Sequence, residues 1–212
     1  MTKPDLTAAL TLSDPQATKR LYKDWAATYD SEFAKNMEYR LPIQVAANFI
    51  TAGGQGPVLD IGAGTGLLAQ GLREMGFEGQ IDGLDFSGEM LARATEKHIY
   101  TGLFRADVTE ELPLKRIYNG ITSSGTFTAG HVGPAAFGPM LAVALPGALF
   151  ALSINQRVWT ELSFDLALND LLDGGEIRDL ELVEVDVYGA AAQSMDPDHA
   201  GDRAYIALFH AA

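Results

Sequence analysis

Residues 58–66, Val-Leu-Asp-Ile-Gly-Ala-Gly-Thr-Gly, decide the fold class of this 212-residue chain. The first four are typical of a short buried strand, and the glycines after them are typical of a sharp turn into a helix. A helix that begins behind such a turn offers unpaired N–H groups and the positive end of its dipole to an anionic group. The turn therefore predicts a ligand site, and the alternative is a tight strand-to-helix turn that binds nothing.

The spacing of the glycines distinguishes two kinds of ligand. A dinucleotide fingerprint, G-x-G-x-x-G, would have its third glycine at position 67, where this chain has leucine. Here Gly62, Gly64 and Gly66 alternate, and Asp60 comes before them. An acid at that point suits an ammonium group better than a pyrophosphate. The pattern favours a zwitterionic amino-acid moiety over a dinucleotide, and it disfavours a nicotinamide-dependent oxidoreductase.

Two more acids are placed at the ends of the next predicted strands. Asp85 follows Gly66 at about the 20-residue distance at which nucleotide-binding folds carry a ribose-binding acid. Asp107 ends the third strand and can accept a hydrogen bond from an adenine amino group. The alternatives are a solvated neighbour of a helix start for Asp85 and a simple turn residue for Asp107. Together, acids at successive strand ends predict a ligand outside the carboxyl ends of a parallel sheet.

Short apolar runs alternate with helical ones after the glycine turn. This alternation predicts a mostly parallel sheet with helices on both faces. The last two strands have only the turn-rich segment 195–198 between them, which predicts an antiparallel pair at one sheet edge. The predicted strands are 58–61, 80–84, a weak one ending at 107, 117–123, 148–154, 180–188 and 204–209, and the predicted helices are 42–50, 64–75, 87–97, 133–145 and 158–172. We interpret the chain as one domain made of a tail (1–12), an N-terminal helical cap (13–52) and an α/β core (53–212).

Composition narrows the classes of function. The chain has 28 acidic and 15 basic residues, a net charge of −13, which disfavours general binding to nucleic acid or to anionic membrane surfaces. Because it contains no cysteine, disulfides and thiolate chemistry are excluded. Neither a signal-peptide pattern nor an apolar run of membrane-spanning length is present, so a cytoplasmic location is expected. The four histidines are scattered without metal-ligand spacing, so no metal site is expected.

These features resemble the class I S-adenosylmethionine-dependent methyltransferases from about Leu21 to His210. Residues 58–66 match the first motif of that family, LDFSGEML at 84–91 the second, and Ala106-Asp107 the third. The resemblance implies a Rossmann-like three-layer sandwich, an α/β fold with a seven-stranded, mostly parallel sheet whose last strand is antiparallel.

A narrower resemblance comes from the loop after the fourth strand. Ser123–Thr128 (SSGTFT) and Gly130–Pro134 (GHVGP), together with YKDWA at 22–26, are similar to the Williams–Beuren syndrome region methyltransferase-like branch. This chain departs from the family pattern in having Asn119 in place of the usual acid and Ala148 in place of a usual glycine. Both positions lie away from the glycine turn.

The resemblance implies S-adenosylmethionine as the cofactor and a role for each site residue. The turn would pack against the methionine part, Asp85 would hold the ribose, and Tyr29 and Arg40 would close over the cofactor carboxylate. Residues near 86, 90 and 107 would surround the adenine. The implied cofactor-binding residues are Tyr29, Arg40, Asp60, Gly62, Ala63, Gly64, Gly66, Asp85, Phe86, Met90, Asp107, Val108, Ser123 and Ser124.

Methyl transfer from a sulfonium is an in-line displacement, so the protein mainly aligns the reactants and excludes water. A general base is needed only if the nucleophile still holds a proton. His131, in a glycine-flanked loop, is the candidate for that base, and the alternative is an imidazole with a structural role. The aromatic stripe Tyr22, Trp25 and Tyr29 is either simple packing or a movable lid. The predicted function is methyl transfer to a small-molecule acceptor, and the alternative is a non-catalytic regulatory or interaction protein that binds the cofactor.

Overall fold

The computed structural model describes residues 34–130 and 132–212. Within them, seven strands form one sheet, and their bounds are close to those expected from the apolar runs. The strands are β1 (Val58–Ile61), β2 (Ile81–Asp85), β3 (Gly102–Arg105), β4 (Tyr118–Phe127), β5 (Ala144–Asn155), β6 (Ile177–Asp186) and β7 (Arg203–Ala211).

Helices connect most of these strands. A 3₁₀ turn, Pro134–Ala136, comes before the fourth helix. In the described part of the chain the helices are α1 (Leu41–Thr51), α2 (Leu67–Glu74), α3 (Gly88–Glu96), α4 (Phe137–Val143), α5 (Gln156–Trp159), α6 (Phe164–Asp173) and α7 (Ala192–Met195).

The order of the strands across the sheet is β3-β2-β1-β4-β5-β7-β6. The five neighbouring strands from β3 to β5 run parallel, and β7 is antiparallel to both β5 and β6. The predicted fold class, a seven-stranded mostly parallel sheet with the last strand antiparallel, is confirmed. Because the chain reverses its direction of winding between β1 and β4, a crevice opens outside the carboxyl ends of these two strands.

The core has two layers, one on each face of the sheet. Leu59 and Ile61 of β1 pack on one face with α4 and α6, while Val58 packs on the other face with α1 and α2. Successive side chains of a strand point to opposite faces, so Asp60 points to the face of Val58. The carboxyl ends are held in register, since Ile61 of β1 pairs with Leu84 of β2 and with Ser123 of β4.

Two local expectations are wrong. The helix predicted over 158–172 is divided into α5 and α6, and Ser163 between them has a left-handed backbone (φ +60°) that no continuous helix accommodates. The connection between the last two strands contains the short helix α7, where only a turn was expected. The predicted tail and residues 13–33 of the predicted helical cap, including Tyr22, Trp25 and Tyr29, lie outside the described residues.

Candidate functional site

A cleft of about 850 Å³, including the open solvent at its mouth, lies at the carboxyl ends of β1, β2 and β4. One wall is the glycine turn between β1 and α2, and a second is formed by the end of β2 and the start of α3. Its other walls come from the segment before α1 and from the end of β4. The lining residues are Tyr39, Pro42, Gly62, Ala63, Gly64, Thr65, Leu67, Leu68, Leu84, Asp85, Phe86, Met90, Ala106, Asp107, Val108, Ser124, Gly125, Thr126 and Val132.

Gly62, the first glycine of the turn, is fitted against β4. Its φ of +66° lies in the left-handed region, and a Cβ added there would be only 2.0 Å from the Thr126 hydroxyl oxygen. That hydroxyl lies 3.2 Å from the Ile61 carbonyl oxygen, and the Ser123 hydroxyl lies 2.8 Å from the same carbonyl. Glycine is therefore required at position 62 both by the backbone conformation and by the close approach of Thr126.

The other two glycines of the turn have different surroundings. A Cβ on Gly64 would meet nothing nearer than the Gly62 carbonyl oxygen at 3.9 Å, so Gly64 borders open space on the cleft wall. Gly66 does not line the cleft, and a Cβ on it would lie 3.0 Å from the ring of Tyr100. Gly64 is thus the glycine of the turn that leaves room for a ligand, while Gly66 leaves room for Tyr100.

Asp85, at the end of β2, is 7% exposed and tied to the turn. Its Oδ2 accepts a hydrogen bond from the Gly64 N–H at 2.8 Å, and its Oδ1 accepts one from the Ser87 N–H at 2.8 Å. Burial raises the pKa of Asp85, and these backbone N–H groups oppose that rise. A carboxylate has about four lone-pair sites, so acceptor capacity for a ligand hydroxyl remains.

Asp60 is only 1% exposed and does not line the cleft. The Tyr100 hydroxyl donates a hydrogen bond to its Oδ2 at 2.7 Å, and the Thr122 hydroxyl lies 3.5 Å from its Oδ1. Burial, the largest cause, and the nearby charge of Asp85 raise the pKa of Asp60 to about 7, against the hydrogen bonds from Tyr100 and Thr122. Asp60 therefore lies beneath the turn as a carboxyl group that titrates near neutral pH.

The predicted adenine residues lie together on one side of the cleft. Phe86, Met90, Asp107 and Val108 all line it. Asp107 is exposed, and its Oδ1 accepts hydrogen bonds from both the N–H and the hydroxyl of Thr109. The side chain of Asp107 is therefore held at the edge of the cleft rather than in its floor.

The structure brings most of the predicted site residues to the cleft but leaves some outside it. Arg40 is exposed and lies 3.9 Å from Glu38 in an ion pair, and Ser123 is fully buried beneath the turn. Tyr29 and His131 lie outside the described residues. The predicted residues that line the cleft are Gly62, Ala63, Gly64, Asp85, Phe86, Met90, Asp107, Val108 and Ser124, and those that do not are Arg40, Asp60, Gly66 and Ser123.

Sequence reasoning missed one wall of the cleft. Tyr39 lies one residue before Arg40, lines the cleft, and has its ring 5.8 Å from that of Tyr188. A Cβ on Gly125 (φ +75°) would be 2.3 Å from the Tyr39 hydroxyl, so this glycine allows the tyrosine to reach the end of β4. The signal was present in the sequence as the pair Tyr39-Arg40, but only the fold shows which of the two side chains faces the cleft.

Among residues 34–130 and 132–212 there is no group of three or more His, Cys, Asp or Glu side chains placed to hold a metal ion. None of the helices in this part of the chain is long and apolar enough to cross a membrane.

Comparisons with known proteins agree with this geometry. A family model described as "Methyltransferase domain" matches residues 58–147, which include the glycine turn and the end of β2. Human methyltransferase-like protein 27 is 32% identical over 173 residues, covering 78% of this chain and 69% of that protein. A phosphatidylethanolamine N-methyltransferase of Cereibacter sphaeroides is 44% identical over 87 residues, covering 41% of this chain and 39% of that protein.

Solved structures show the same fold. A methyltransferase dependent on S-adenosylmethionine from Aquifex aeolicus has a TM-score of 0.59 at 19% identity, covering 88% of this chain and 97% of its own. The [4+2]-cyclase SpnF has a TM-score of 0.65 at 17% identity, covering 94% of this chain and 97% of its own. At these identities the likeness establishes the fold alone, since one fold hosts several chemistries.

Proposed function

We propose that this chain, which belongs to the class I S-adenosylmethionine-dependent methyltransferases, transfers the methyl group of S-adenosylmethionine to a small-molecule acceptor. The family and its cofactor follow from the fold and from the matches to known methyltransferases, whereas the acceptor is proposed from the cleft. The observation that carries the proposal is the cleft at the reversal point of the sheet, with Gly64 on its wall and the buried Asp85 at its side.

The residues of the cleft fit the cofactor. Gly64 leaves open the space that a side chain would occupy, as a backbone that closely approaches a ligand requires. Asp85 keeps acceptor capacity after its backbone hydrogen bonds, which suits the hydroxyls of a ribose. Phe86 and Met90 supply apolar contact surface suited to a purine ring. We propose that Gly62, Ala63 and Gly64 hold the methionine part and that Asp85 holds the ribose.

The remaining proposed contacts follow from the walls of the cleft. Asp107 and Val108 would meet the adenine edge, and the Ser124 hydroxyl would face the methionine side. Arg40, Asp60, Gly66 and Ser123 do not line the cleft, so any effect of theirs on binding would be indirect. When bound, S-adenosylmethionine supplies an electrophilic methyl group. The protein then orients the acceptor toward this methyl group and excludes water. Such positioning raises the effective molarity of the reactants.

A small-molecule acceptor is supported by the character of the cleft walls. Tyr39, Pro42 and Val132 contribute mostly apolar surface to the walls of the cleft, and the chain is strongly acidic overall. A concave, mostly apolar cleft suits a small ligand better than a nucleic-acid backbone. We also propose that the chain belongs to the Williams–Beuren syndrome region methyltransferase-like branch, because of the motif at 123–134. We propose a cytoplasmic location because of the composition of the chain.

Calorimetric titration with S-adenosylmethionine and with S-adenosylhomocysteine tests the binding site. We expect Asp85→Asn to weaken binding at least tenfold, because charge-assisted hydrogen bonds to the ribose hydroxyls are lost. The matched control is Asp82→Asn on the same strand, since Asp82 accepts a hydrogen bond from the Tyr118 hydroxyl at 2.9 Å and does not line the cleft. Equal affinity in the wild type and Asp85→Asn would overturn the ribose assignment.

Turnover is tested with methyl-labelled S-adenosylmethionine and pooled small metabolites. Transfer of label to a metabolite, lost in Asp85→Asn, is the expected result. Tight cofactor binding with no transfer to any acceptor pool would contradict the proposed transfer and favour a protein that only binds the cofactor. The same assay with His131→Ala, followed across pH, tests whether that histidine acts as a base.

A further inference from the structure

Tyr100 lies in the loop between α3 and β3, and its ring fills the space beneath the glycine turn. An added Cβ would be 3.0 Å from this ring at Gly66 and 2.9 Å from it at Gly83. Two glycines, one in the turn and one in β2, therefore provide the slot that the ring occupies. Tyr100 does not line the cleft, so it has no direct place in the proposed ligand contacts.

The hydroxyl at the end of this ring reaches the acid that precedes the turn. It donates a hydrogen bond to Asp60 Oδ2 at 2.7 Å, and Asp60 is almost completely buried. A buried carboxylate without such a donor is strongly disfavoured in its charged form. The bond therefore both orients Asp60 and stabilises its charge directly below the turn.

The charge of Asp60 interacts with a residue that lines the cleft. The groups that act on Asp60 are Tyr100, Thr122 of β4 and Asp85 of β2, and Asp85 lines the cleft. Electrostatic interaction is reciprocal, so the charge of Asp60 also acts on Asp85 and on any charged group that binds beside Asp85 in the cleft. S-adenosylmethionine carries positive charge on its sulfonium and its ammonium groups, and an ionised Asp60 attracts both.

We propose that Tyr100 is a positioning residue of the methyl-donor site, whose hydroxyl holds the Asp60 carboxylate charged and oriented beneath the turn from Gly62 to Gly66. The inference rests on the proposed binding of S-adenosylmethionine in the cleft and adds a residue that no motif marks. Tyr100 acts through Asp60 and the turn, and it touches neither substrate nor cofactor.

The test is the pH profile of cofactor binding in Tyr100→Phe, which removes the hydroxyl and keeps the ring in its slot. In the wild type, affinity for S-adenosylmethionine should rise as the pH passes through the titration of Asp60. In Tyr100→Phe this rise should move to higher pH, because Asp60 loses the hydrogen bond that favours its charged form. Affinity near pH 7 should fall about tenfold, since less of Asp60 is then ionised at that pH. S-adenosylhomocysteine, which lacks the sulfonium charge, should show a smaller pH effect.

Two variants serve as controls. Tyr118→Phe removes a hydroxyl that donates to Asp82 in the same way, away from the cleft, and it should leave the pH profile of binding unchanged. Asp60→Asn should abolish the part of the profile that comes from Asp60. Thermal unfolding of each variant shows that it is folded.

The outcomes are distinct. If Tyr100→Phe is folded and has the wild-type profile, the inference is wrong and the proposed function stands. If the wild type binds neither ligand at any pH, the proposed function fails first. A loss of affinity that is equal at every pH reduces Tyr100 to a packing residue and also overturns the inference.

Discussion

Gly62 shows how strongly a single position can be constrained in this protein. Its backbone is left-handed, and the Thr126 hydroxyl oxygen occupies the place of its missing side chain. Gly53 after α1 has a similar backbone (φ +81°), but a Cβ there would meet nothing within 4 Å. Alanine substitutions at these two glycines therefore separate the free-energy cost of a left-handed backbone from the added cost of the contact with Thr126.

We expect Gly53→Ala to lower the free energy of unfolding by about 1–2 kcal/mol, the cost of a left-handed residue with a Cβ. Gly62→Ala should cost roughly 1–3 kcal/mol more, since it also overpacks the contact with Thr126. Urea unfolding of both variants measures the difference. Adding Thr126→Ala to Gly62→Ala should recover part of the loss, and equal costs for the two single variants would contradict the contact.

Asp60 makes stability depend on pH in a predictable direction. Its pKa is about 7 in the folded chain against 3.8 as the ordinary value, so folding takes up a proton between these two pH values. The contribution of Asp60 to stability therefore falls as the pH rises from about 4 to about 7, and it is constant above that range.

Asp60→Asn removes this titration while keeping an acceptor for Tyr100. The stability of Asp60→Asn relative to the wild type should increase with pH, by at most about 1.4 kcal/mol per pH unit within this range. Urea unfolding at pH 5, 6, 7 and 8 gives the difference at each pH. A difference that stays constant from pH 5 to 8 would show that Asp60 does not titrate there.

At the scale of an element, α3 links helix capping to the cleft. Its N-cap is Ser87, whose hydroxyl oxygen accepts a hydrogen bond from the Met90 N–H at 3.2 Å. The Ser87 N–H donates in turn to Asp85, and Met90 lines the cleft. The start of this helix therefore supports both the ribose acid and the predicted adenine wall.

Ser87→Ala should lower the free energy of unfolding by about 1 kcal/mol, because one N–H of the first turn loses its partner. Affinity for S-adenosylmethionine should fall as well, since Met90 is then held less firmly. Thermal unfolding and calorimetry measure the two effects. Ser87→Asn, which keeps a capping oxygen, is the matched control and should retain most of the stability and most of the affinity. Stability and affinity equal to those of the wild type in Ser87→Ala would refute the capping role.

At the scale of the whole molecule, charge is the dominant property. A net charge of −13 on 212 residues implies mutual repulsion in the compact state, which salt screens with a Debye length of about 10 Å at 0.1 M. We expect the midpoint of thermal unfolding at pH 8 to rise between 20 and 300 mM NaCl, and to rise equally in KCl. Near the isoelectric point of about 4.6 this effect should vanish. A midpoint that falls with salt at pH 8 would contradict net repulsion.

Most of the fold could be predicted from local patterns in the sequence. Apolar periodicity and glycine positions predicted β1, β2 and α3 to within one or two residues, because these signals act over neighbouring residues along the chain. The break between α5 and α6 was missed, since the apolar pattern continues across it while the backbone at Ser163 does not.

The candidate site could be predicted only in part from the sequence, because its contacts join residues that are far apart in the chain. The pattern gave the three glycines of the turn one shared role, but in the fold Gly62 faces Thr126, Gly66 faces Tyr100, and Gly64 alone of the three leaves space toward the cleft. Such contacts depend on distance in space between residues far apart in the chain, and strand register sets that distance. Backbone preferences are encoded locally, whereas burial, the partner of Asp60 and the wall supplied by Tyr39 exist only once the strands have paired.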